Sequence, residues 1–311
     1  MGKYTVRTGQ NIYDVTMHLY GALEGLLDLF INNPSLSFSD KLEEGIVLEY
    51  TEGFVINEEI ISYNKTHNII PANGEQHIFF KESNNVFLEI YLPNNRSSAS
   101  FSFSGEGLLA IDWGDNTDIE TVELKKHSKK IQHFFNNQIS DMRKIRLSGG
   151  VKFQTLDLSQ LTPLEIYLLK PLYTEKITIQ NSELNIAFVN LLSNCHQADF
   201  TGLTTHSLSP LLKLNGLMNL NLLSSHIKPS IIDEYLIGLV KHYGQRRNCH
   251  IRLSTSPTGM YREPIRDING HYTLTSGMEA IWIILHEPAW NEAGHWQFSI
   301  NENTYTYEQN Y

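Results

Sequence analysis

The chain has 311 residues, 41% of them hydrophobic and 19% charged, which is typical of a globular protein with two or three domains. A formal net charge of −10 and the lack of a basic stripe argue against a nucleic-acid partner. The sequence contains no run of about 18 apolar residues, so we expect no membrane-spanning helix.

The first 50 residues predict the order strand, helix, helix, strand. Residues 4–7 alternate as in a strand, and the apolar positions from Ile12 to Tyr20 lie on one face of a helix that ends at Gly21. A second helical pattern covers 23–31. After a polar loop, residues 45–50 have the composition of a strand.

This ordered set resembles a LysM module, a small βααβ fold. The resemblance rests on four quoted stretches: "YTVRTGQ", "NIYDVTMHLYG", "LFINNP" and "LEEGIVLEY". Where the LysM family has Gly-Asp-Thr-Leu after the first strand, this chain has Gly9-Gln10-Asn11-Ile12. The resemblance covers about a sixth of the chain, so it implies a LysM-like domain at 1–52.

The resemblance also implies a binding groove for chains of N-acetylglucosamine, between the loop after the first strand and the loop after the second helix. Its two sides would be Gly9, Gln10, Asn11 and Ile12, and Asn32, Asn33, Pro34 and Ser35. For each of these residues, the alternative interpretation is a helix cap or a turn. Gln10 and Asn11 depart from the family pattern, which changes the charge and hydroxyl content of the first loop.

Residues 53–85 lack a long periodic element and predict a connector, with one short helix at Glu58–Tyr63. Period-two alternation begins at residue 86 and predicts a small antiparallel β unit at 86–126, with breaks at its glycines. The stretch "IDWGDNT" resembles a turn of PKD-like β-sandwich modules, with Asn116 in place of the last glycine of that turn.

Leucine-bearing segments recur from about residue 127 to residue 228, at spacings of roughly 20–25 residues. Their Leu-x-Leu cores followed by polar turns resemble irregular leucine-rich repeats, so we expect a stack of α/β units within 127–311. Residues 229–243 predict the clearest helix, with Ser230 as its N-cap and Gly244 as its stop. A last helix, interrupted at Pro288, and two terminal strands are predicted after it.

No catalytic or metal-binding motif is apparent. Asp112, Asp115 and Asp118 have a weak calcium-loop spacing, but hydrogen bonds within their own turn explain Asp112 and Asp115 better. Cys195 and Cys249 lack zinc-type spacing and are expected to be buried thiols. Glu165, Glu183 and Glu279 are the candidate acids for sugar hydrolysis, although nothing in the sequence pairs them.

The sequence therefore predicts an α+β protein, with no cofactor and no metal, that binds rather than catalyses. The head segment, from "GQNIYDV" to "LYGALEGLLDLFINN", together with an N-terminus that shows no signal peptide, is similar to proteins of prophages and contractile tails. That similarity implies a peptidoglycan-recognition or attachment component, made in the cytoplasm without a signal peptide and incorporated into a virion or tail-like particle. The alternative is a purely structural tail or baseplate component, in which the LysM-like head joins two proteins. A murein hydrolase is the third hypothesis.

Overall fold

A computed structural model describes residues 1–72, 85–135, 143–242 and 246–307 of the chain. They form two compact units, the first made of 1–72 and the second of the described residues from 85 onward. The described residues include six α-helices and a sheet of 13 strands, which confirms the expected mixture of helices and strands.

The first unit has the predicted order of elements. These are β1 (Gly2–Thr5), α1 (Ile12–Tyr20), a 3₁₀ turn (Leu23–Gly25), α2 (Leu26–Asn32), β2 (Val47–Tyr50) and α3 (Glu58–Thr66). β1 and β2 pair in antiparallel fashion, with Gly2 opposite Tyr50 and Thr5 opposite Val47. The helices α1 and α2 and the two strands enclose a small core of their own, made of Val6, Ile12, Val15, Tyr20, Leu29, Leu42 and Leu48.

Residues that were expected to form a connector continue the first unit. The backbone N–H groups of Ile56 and Asn57 donate to the carbonyl oxygen of Tyr20, at 3.0 and 2.9 Å, and so tie the start of α3 to the end of α1. The short helix predicted at 58–63 is present as α3 and is one turn longer than predicted. Residues 73–84 of the predicted connector lie outside the described residues.

The second unit is built mainly from strands. They are β3 (Val86–Leu92), β4 (Ser98–Asp112), β5 (Glu120–Glu123), β6 (Lys129–Phe134), β7 (Arg143–Asp157), β8 (Glu165–Leu168), β9 (Leu172–Thr178), β10 (Leu192–Ser193), β11 (Gln197–Asp199), β12 (Asn219–Leu222), β13 (His250–Leu253), β14 (Ile265–Arg266), β15 (Tyr272–Thr273), β16 (Gln297–Ile300) and β17 (Asn303–Thr306). Its helices are α4 (Pro229–Lys241), α5 (Gly277–His286) and α6 (Pro288–Asn291), with 3₁₀ helices at Ala187–Leu191 and Ser209–Lys213.

Antiparallel strands form one part of the large sheet. The long strands β4 and β7 pair along most of their length. β5 and β6 also pair with β4, β3 pairs with β7, and β8 pairs with β3. The strands predicted as a separate unit at 86–126 therefore share one sheet with strands after residue 127. The break predicted at the glycines of β4 is a bulge between Ser104 and Gly105 inside a continuous strand.

Parallel strands form the other part of the sheet, in the order β7, β9, β11, β12, β13, β16. The aligned residues Ile177, Ala198 and Leu220 are about 21 and 22 residues apart, as the sequence spacing predicts. The interval then lengthens, because α4 is inserted before β13 and α5 and α6 are inserted before β16. A single core of buried side chains runs through both parts of the sheet.

A repeated polar turn ends three of these strands. The side-chain oxygens of Asp157, Asp199 and Asn221 each accept the backbone N–H two residues further along the chain, at 3.0 to 3.2 Å. Such turns satisfy backbone donors where the strand pairing ends. They account for the polar residues that follow each Leu-x-Leu core in the sequence.

The predicted helix at 229–243 is present as α4, but its N-terminus differs from the prediction. Lys228 is the N-cap and Pro229 the first helical residue, so Ser230 lies inside the first turn and does not cap the helix. Proline is favoured at this first position, because its fixed φ and missing N–H cost nothing there. Tyr243 and Gly244, the predicted end of the helix, lie outside the described residues.

Candidate functional site

The first predicted side of the groove is held by a buried glutamine. Gln10 is only 2% exposed. Its Oε1 accepts the Tyr4 hydroxyl at 2.8 Å and the Arg7 N–H at 2.9 Å, and its Nε2 donates to the Pro71 carbonyl at 2.9 Å. This side chain therefore fixes the loop after β1 from inside and presents no polar group at its surface.

The next two residues of this side begin α1. Asn11 is the N-cap: its side chain accepts the Asp14 N–H at 2.9 Å, and the Asp14 carboxylate accepts the Asn11 N–H at 2.9 Å. This reciprocal pair is a capping box. Ile12 is buried in the core of the unit, and Gly9 turns the chain with a φ of 80°. The cap interpretation therefore accounts for the side chains of Asn11 and Ile12.

The second predicted side anchors the end of α2 to β2. Asn33 donates from Nδ2 to the carbonyls of Leu29 and Glu49, both at 2.8 Å, and accepts the Glu49 N–H at 3.0 Å. Asn32 donates to the carbonyl of Asp28 and to the Thr51 hydroxyl. Pro34 and Ser35 are exposed, so they are the residues of this side that present their side chains to solvent.

The two predicted sides make their hydrogen bonds in different parts of the unit. Those of the first side run to Tyr4, Arg7, Pro71 and Asp14, whereas those of the second run to α2, β2 and Thr51. The loop after β1 is instead joined to the residues just before β2. Thr8 donates to the Glu44 carboxylate at 2.5 Å, and the Gly45 N–H donates to the Val6 carbonyl at 2.9 Å. The loop from α2 to β2 therefore contacts the loop after β1 through the residues just before β2, and these contacts do not involve Asn32, Asn33, Pro34 or Ser35.

That α2–β2 loop also carries an aromatic side chain that our groove assignment missed. Phe38 is 65% exposed, and its ring contacts Phe30 of α2 edge-on, with 4.5 Å between ring centroids. A ring supported from below and open above offers an apolar surface for the flat face of a sugar. The sequence signal for it is a single aromatic residue in the otherwise polar stretch "SLSFSD".

A second residue missed by the sequence reasoning is Asp28 of α2. Its carboxylate accepts the Tyr20 hydroxyl at 2.7 Å and the Thr51 N–H at 2.9 Å. Burial alone would raise the pKa of Asp28, but the hydrogen bonds from Thr51 and Tyr20 hold that pKa below its ordinary value. Asp28 thus fastens α1, α2 and the end of β2 around the core.

The first unit also has a small basic pocket of about 330 Å³, lined in part by Arg7, His18 and Lys65. Burial lowers the pKa of His18, and the charges of Arg7 and Lys65 lower it further. The neutral imidazole is therefore favoured, and the positive charge of this pocket comes from Arg7 and Lys65.

One face of the first unit is apolar and exposed. Leu23, Leu27 and Ile31 are spaced four residues apart along the 3₁₀ turn and α2, and Leu27 and Ile31 are 70% and 75% exposed. Residues four apart lie on one face of an α-helix, so Leu27 and Ile31 share a face of α2, and Leu23 precedes them in the 3₁₀ helix. We call these three residues the α2 strip. A protein surface of this kind is typical of a docking site.

The three candidate acids for hydrolysis are placed differently in the second unit. Glu279 accepts from Thr275, with Oγ1 at 2.7 Å, and lies 3.5 Å from Arg262. Glu165 and Glu183, in contrast, line the same cleft beside β8. Tertiary structure thus brings together two carboxylates that no sequence motif connects.

The aspartates of the turn after β4 bond within that turn, as predicted. Asp112 accepts the Gly114 N–H at 3.0 Å, and Asp115 accepts the Thr117 hydroxyl at 2.6 Å. Asn116 has a φ of 64°, the left-handed conformation that asparagine can adopt in place of glycine. Within 1–72, 85–135, 143–242 and 246–307, no three His, Cys, Asp or Glu side chains are grouped to hold a metal ion.

None of the helices in the described ranges is both long enough and apolar enough to cross a bilayer. Compared with known proteins, the chain matches no protein family, no curated protein and no solved structure.

Proposed function

We propose that this chain is a non-enzymatic attachment protein of a phage-tail-like or prophage-encoded assembly, and that its first unit is a LysM-like module for a peptidoglycan glycan. The second unit, with its PKD-like turn and leucine-rich-repeat-like stack, serves as the platform. The observation that supports this proposal most directly is the position of the Phe38 side chain. It is exposed and supported by Phe30, within a unit whose elements follow the order of the LysM resemblance.

The contact chemistry of this proposal differs from the one that the sequence suggests. Because Gln10, Asn11 and Asn33 bond within the unit, their role is to hold the loop backbones in place. The ring of Phe38 would take the apolar face of an N-acetylglucosamine unit. The exposed residues Pro34 and Ser35, on the same loop, would border it.

Retention on insoluble peptidoglycan tests the glycan proposal. We expect the full chain to be pulled down, and Phe38→Ala to weaken retention roughly three- to tenfold, because one aromatic stacking contact is lost. Tyr63→Ala is the matched control, since Tyr63 is a 59% exposed aromatic residue on α3 of the same unit. A wild-type chain that is not retained, or equal losses in both variants, would contradict the proposal.

A second candidate function, supported by the exposed α2 strip, is the protein–protein joint. In this case the first unit docks on another tail or baseplate protein through Leu23, Leu27 and Ile31. The joint predicts that Leu27→Asp/Ile31→Asp removes the chain from purified particles, whereas Tyr63→Asp does not. Normal incorporation of the double variant, together with retention of the wild type on peptidoglycan, would decide against the joint.

A further inference from the structure

Strand β8 is an edge of the large sheet in the part of the chain that the structure describes. It pairs with β3 alone, with Leu168 opposite Leu88. The N–H of Leu169 donates to the Phe87 carbonyl at 2.9 Å, so Leu169 and Phe87 are a hydrogen-bonded pair. Because bonded and non-bonded pairs alternate, the N–H and C=O groups of Ile166 and Leu168 point away from β3.

A cleft of about 510 Å³ lies along this edge. It is bounded by residues 164–168, by 183–185 with the 3₁₀ helix Ala187–Leu191, and by 204–206. The strand that follows this 3₁₀ helix in the chain is β10, and it pairs with β9. Where a further strand could pair with β8, the protein therefore places a 3₁₀ helix and leaves an open space.

The walls of the cleft differ in polarity. Ile166, Leu168, Leu184 and Phe188 contribute buried apolar side chains. Glu165 and Glu183 are exposed, and the Tyr167 hydroxyl donates to Glu165 Oε2 at 2.7 Å. The other titratable side chain of the lining is His206, which is also exposed. The cleft thus joins an apolar wall to an acidic rim.

We propose that this cleft binds an extended peptide segment of a partner protein, which adds to the free edge of β8. The N–H and C=O groups of Ile166 and Leu168 that point away from β3 would pair with the peptide backbone. Side chains alternate along a strand, so those of the peptide would lie in turn beside the acidic rim and beside the apolar wall. The geometry therefore selects a segment that alternates basic and apolar residues.

A sugar or another small polar ligand is the competing occupant of a cleft of this size. Among the described residues, β8 has no second strand beside it, and this edge favours the peptide, because a sugar satisfies strand N–H and C=O groups in no regular register. This inference uses the second unit alone, so it stands or falls separately from the role proposed for Phe38.

Fluorescence anisotropy with the full chain and a labelled Lys-Val-Lys-Val-Lys peptide tests the proposal. We expect saturable binding, and we expect Glu183→Gln and Glu165→Gln each to weaken it about two- to fivefold, as for exposed ion pairs. Glu234→Gln is the matched control, because Glu234 is an exposed glutamate on α4 and does not line the cleft. Its affinity should equal that of the wild type.

The same peptide with N-methylated valine amides separates strand pairing from charge attraction. These methyl groups keep the charges but block backbone donation, so we expect a loss of at least about tenfold, as for two lost hydrogen bonds. Equal binding of both peptides, or no binding of the parent peptide at millimolar concentration, would overturn the proposal. It would also be overturned if a GlcNAc oligomer bound instead, in a manner sensitive to Glu183→Gln.

Discussion

Asp115 lies in the turn after β4 with a fully buried side chain. Its Oδ2 is 2.6 Å from His133 Nε2, and the imidazole of His133 stacks on the indole of Trp113 with 4.7 Å between ring centroids. Trp113 in turn donates to Glu120 at 3.0 Å. The Asp115 carboxylate therefore connects the turn to His133 of β6. The ring of His133 contacts Trp113, which in turn is hydrogen-bonded to Glu120 of β5.

Replacing Asp115 by asparagine should reduce the stability of the second unit in a pH-dependent way. Burial alone would raise the pKa of Asp115, but hydrogen bonds from His133 and Thr117 hold that pKa below its ordinary value. The stabilisation is therefore present above the unfolded pKa and lost as pH falls through the folded one. We expect Asp115→Asn to cost about 1–3 kcal/mol at neutral pH, and less below about pH 4.

Urea titrations of both proteins across the acidic range measure this difference. Glu123→Gln, an exposed change in β5, serves as the control and should leave stability within about 0.5 kcal/mol. A cost for Asp115→Asn that is the same at all pH values would show that the ionised carboxylate is not the source of the stabilisation.

The two cysteines make a second prediction at this scale. Cys195 and Cys249 are free and buried, as expected from the sequence, and burial raises the pKa of each thiol to about 12. The thiolate is the reactive species. We therefore expect neither thiol to react with a disulfide reagent in the native protein at about pH 8, and both to react in concentrated guanidinium. Rapid labelling of either thiol in the native protein would contradict its buried position.

Among the elements, the β4–β7 pair depends on glycine where the two strands approach most closely. Gly107 has a φ of 108°, and a Cβ there would overlap the carbonyl oxygen of Gly150. A Cβ on Gly150 itself would meet no atom within 4 Å. The sequence marks both positions equally as glycines, whereas the structure makes only Gly107 obligatory.

This contrast supplies a matched pair of variants. Gly107→Ala should destabilise the second unit by about 2 kcal/mol or more, because it adds both strain in φ and a steric overlap. Gly150→Ala should be neutral or stabilising by up to about 1 kcal/mol, through the reduced entropy of the unfolded chain. Denaturant unfolding measures both values. Similar losses for the two variants would contradict the assigned pairing of β4 with β7.

Helix α4 shows how far local signals reach at the same scale. Its apolar period is a local signal, and the helix is present at Pro229–Lys241, although Lys228 and not the predicted Ser230 is its N-cap. The role of Asp233 is not local. Its Oδ1 accepts the N–H of Thr258 at 2.9 Å and that of Gly277, the first residue of α5, at 3.1 Å. Asp233 therefore joins α4 to the loop at Thr258 and to the first residue of α5.

At the scale of the whole molecule, the described residues form two separate hydrophobic cores, one in each unit. We therefore expect two calorimetric transitions. Leu29→Ala empties part of the first core and Leu220→Ala part of the second, and each should cost about 2–5 kcal/mol. Each variant should lower the midpoint of one transition and leave the other in place. One transition that both variants shift would mean that the chain unfolds as a single cooperative body.

The sequence by itself determined the elements whose signals lie within a few residues. Turn residues bound the strand, helix, helix, strand order of 1–50, a period-two pattern marks β3, and a Leu-x-Leu pattern marks β12. Such signals suffice because the hydrogen bonds of a helix and the alternation of a strand are local properties. They do not show which strands share a sheet, and so the sequence reasoning separated 86–126 from the strands that follow.

Only the tertiary structure decided what the candidate site residues do. The buried Gln10 donates to the carbonyl of Pro71, and Asp28 of α2 accepts the N–H of Thr51, which directly follows β2. Glu165 and Glu183 share a cleft because a 3₁₀ helix lies where another strand could pair with β8. Each of these facts depends on residues distant in the chain, whose meeting is fixed by packing around a core rather than by any short-range pattern.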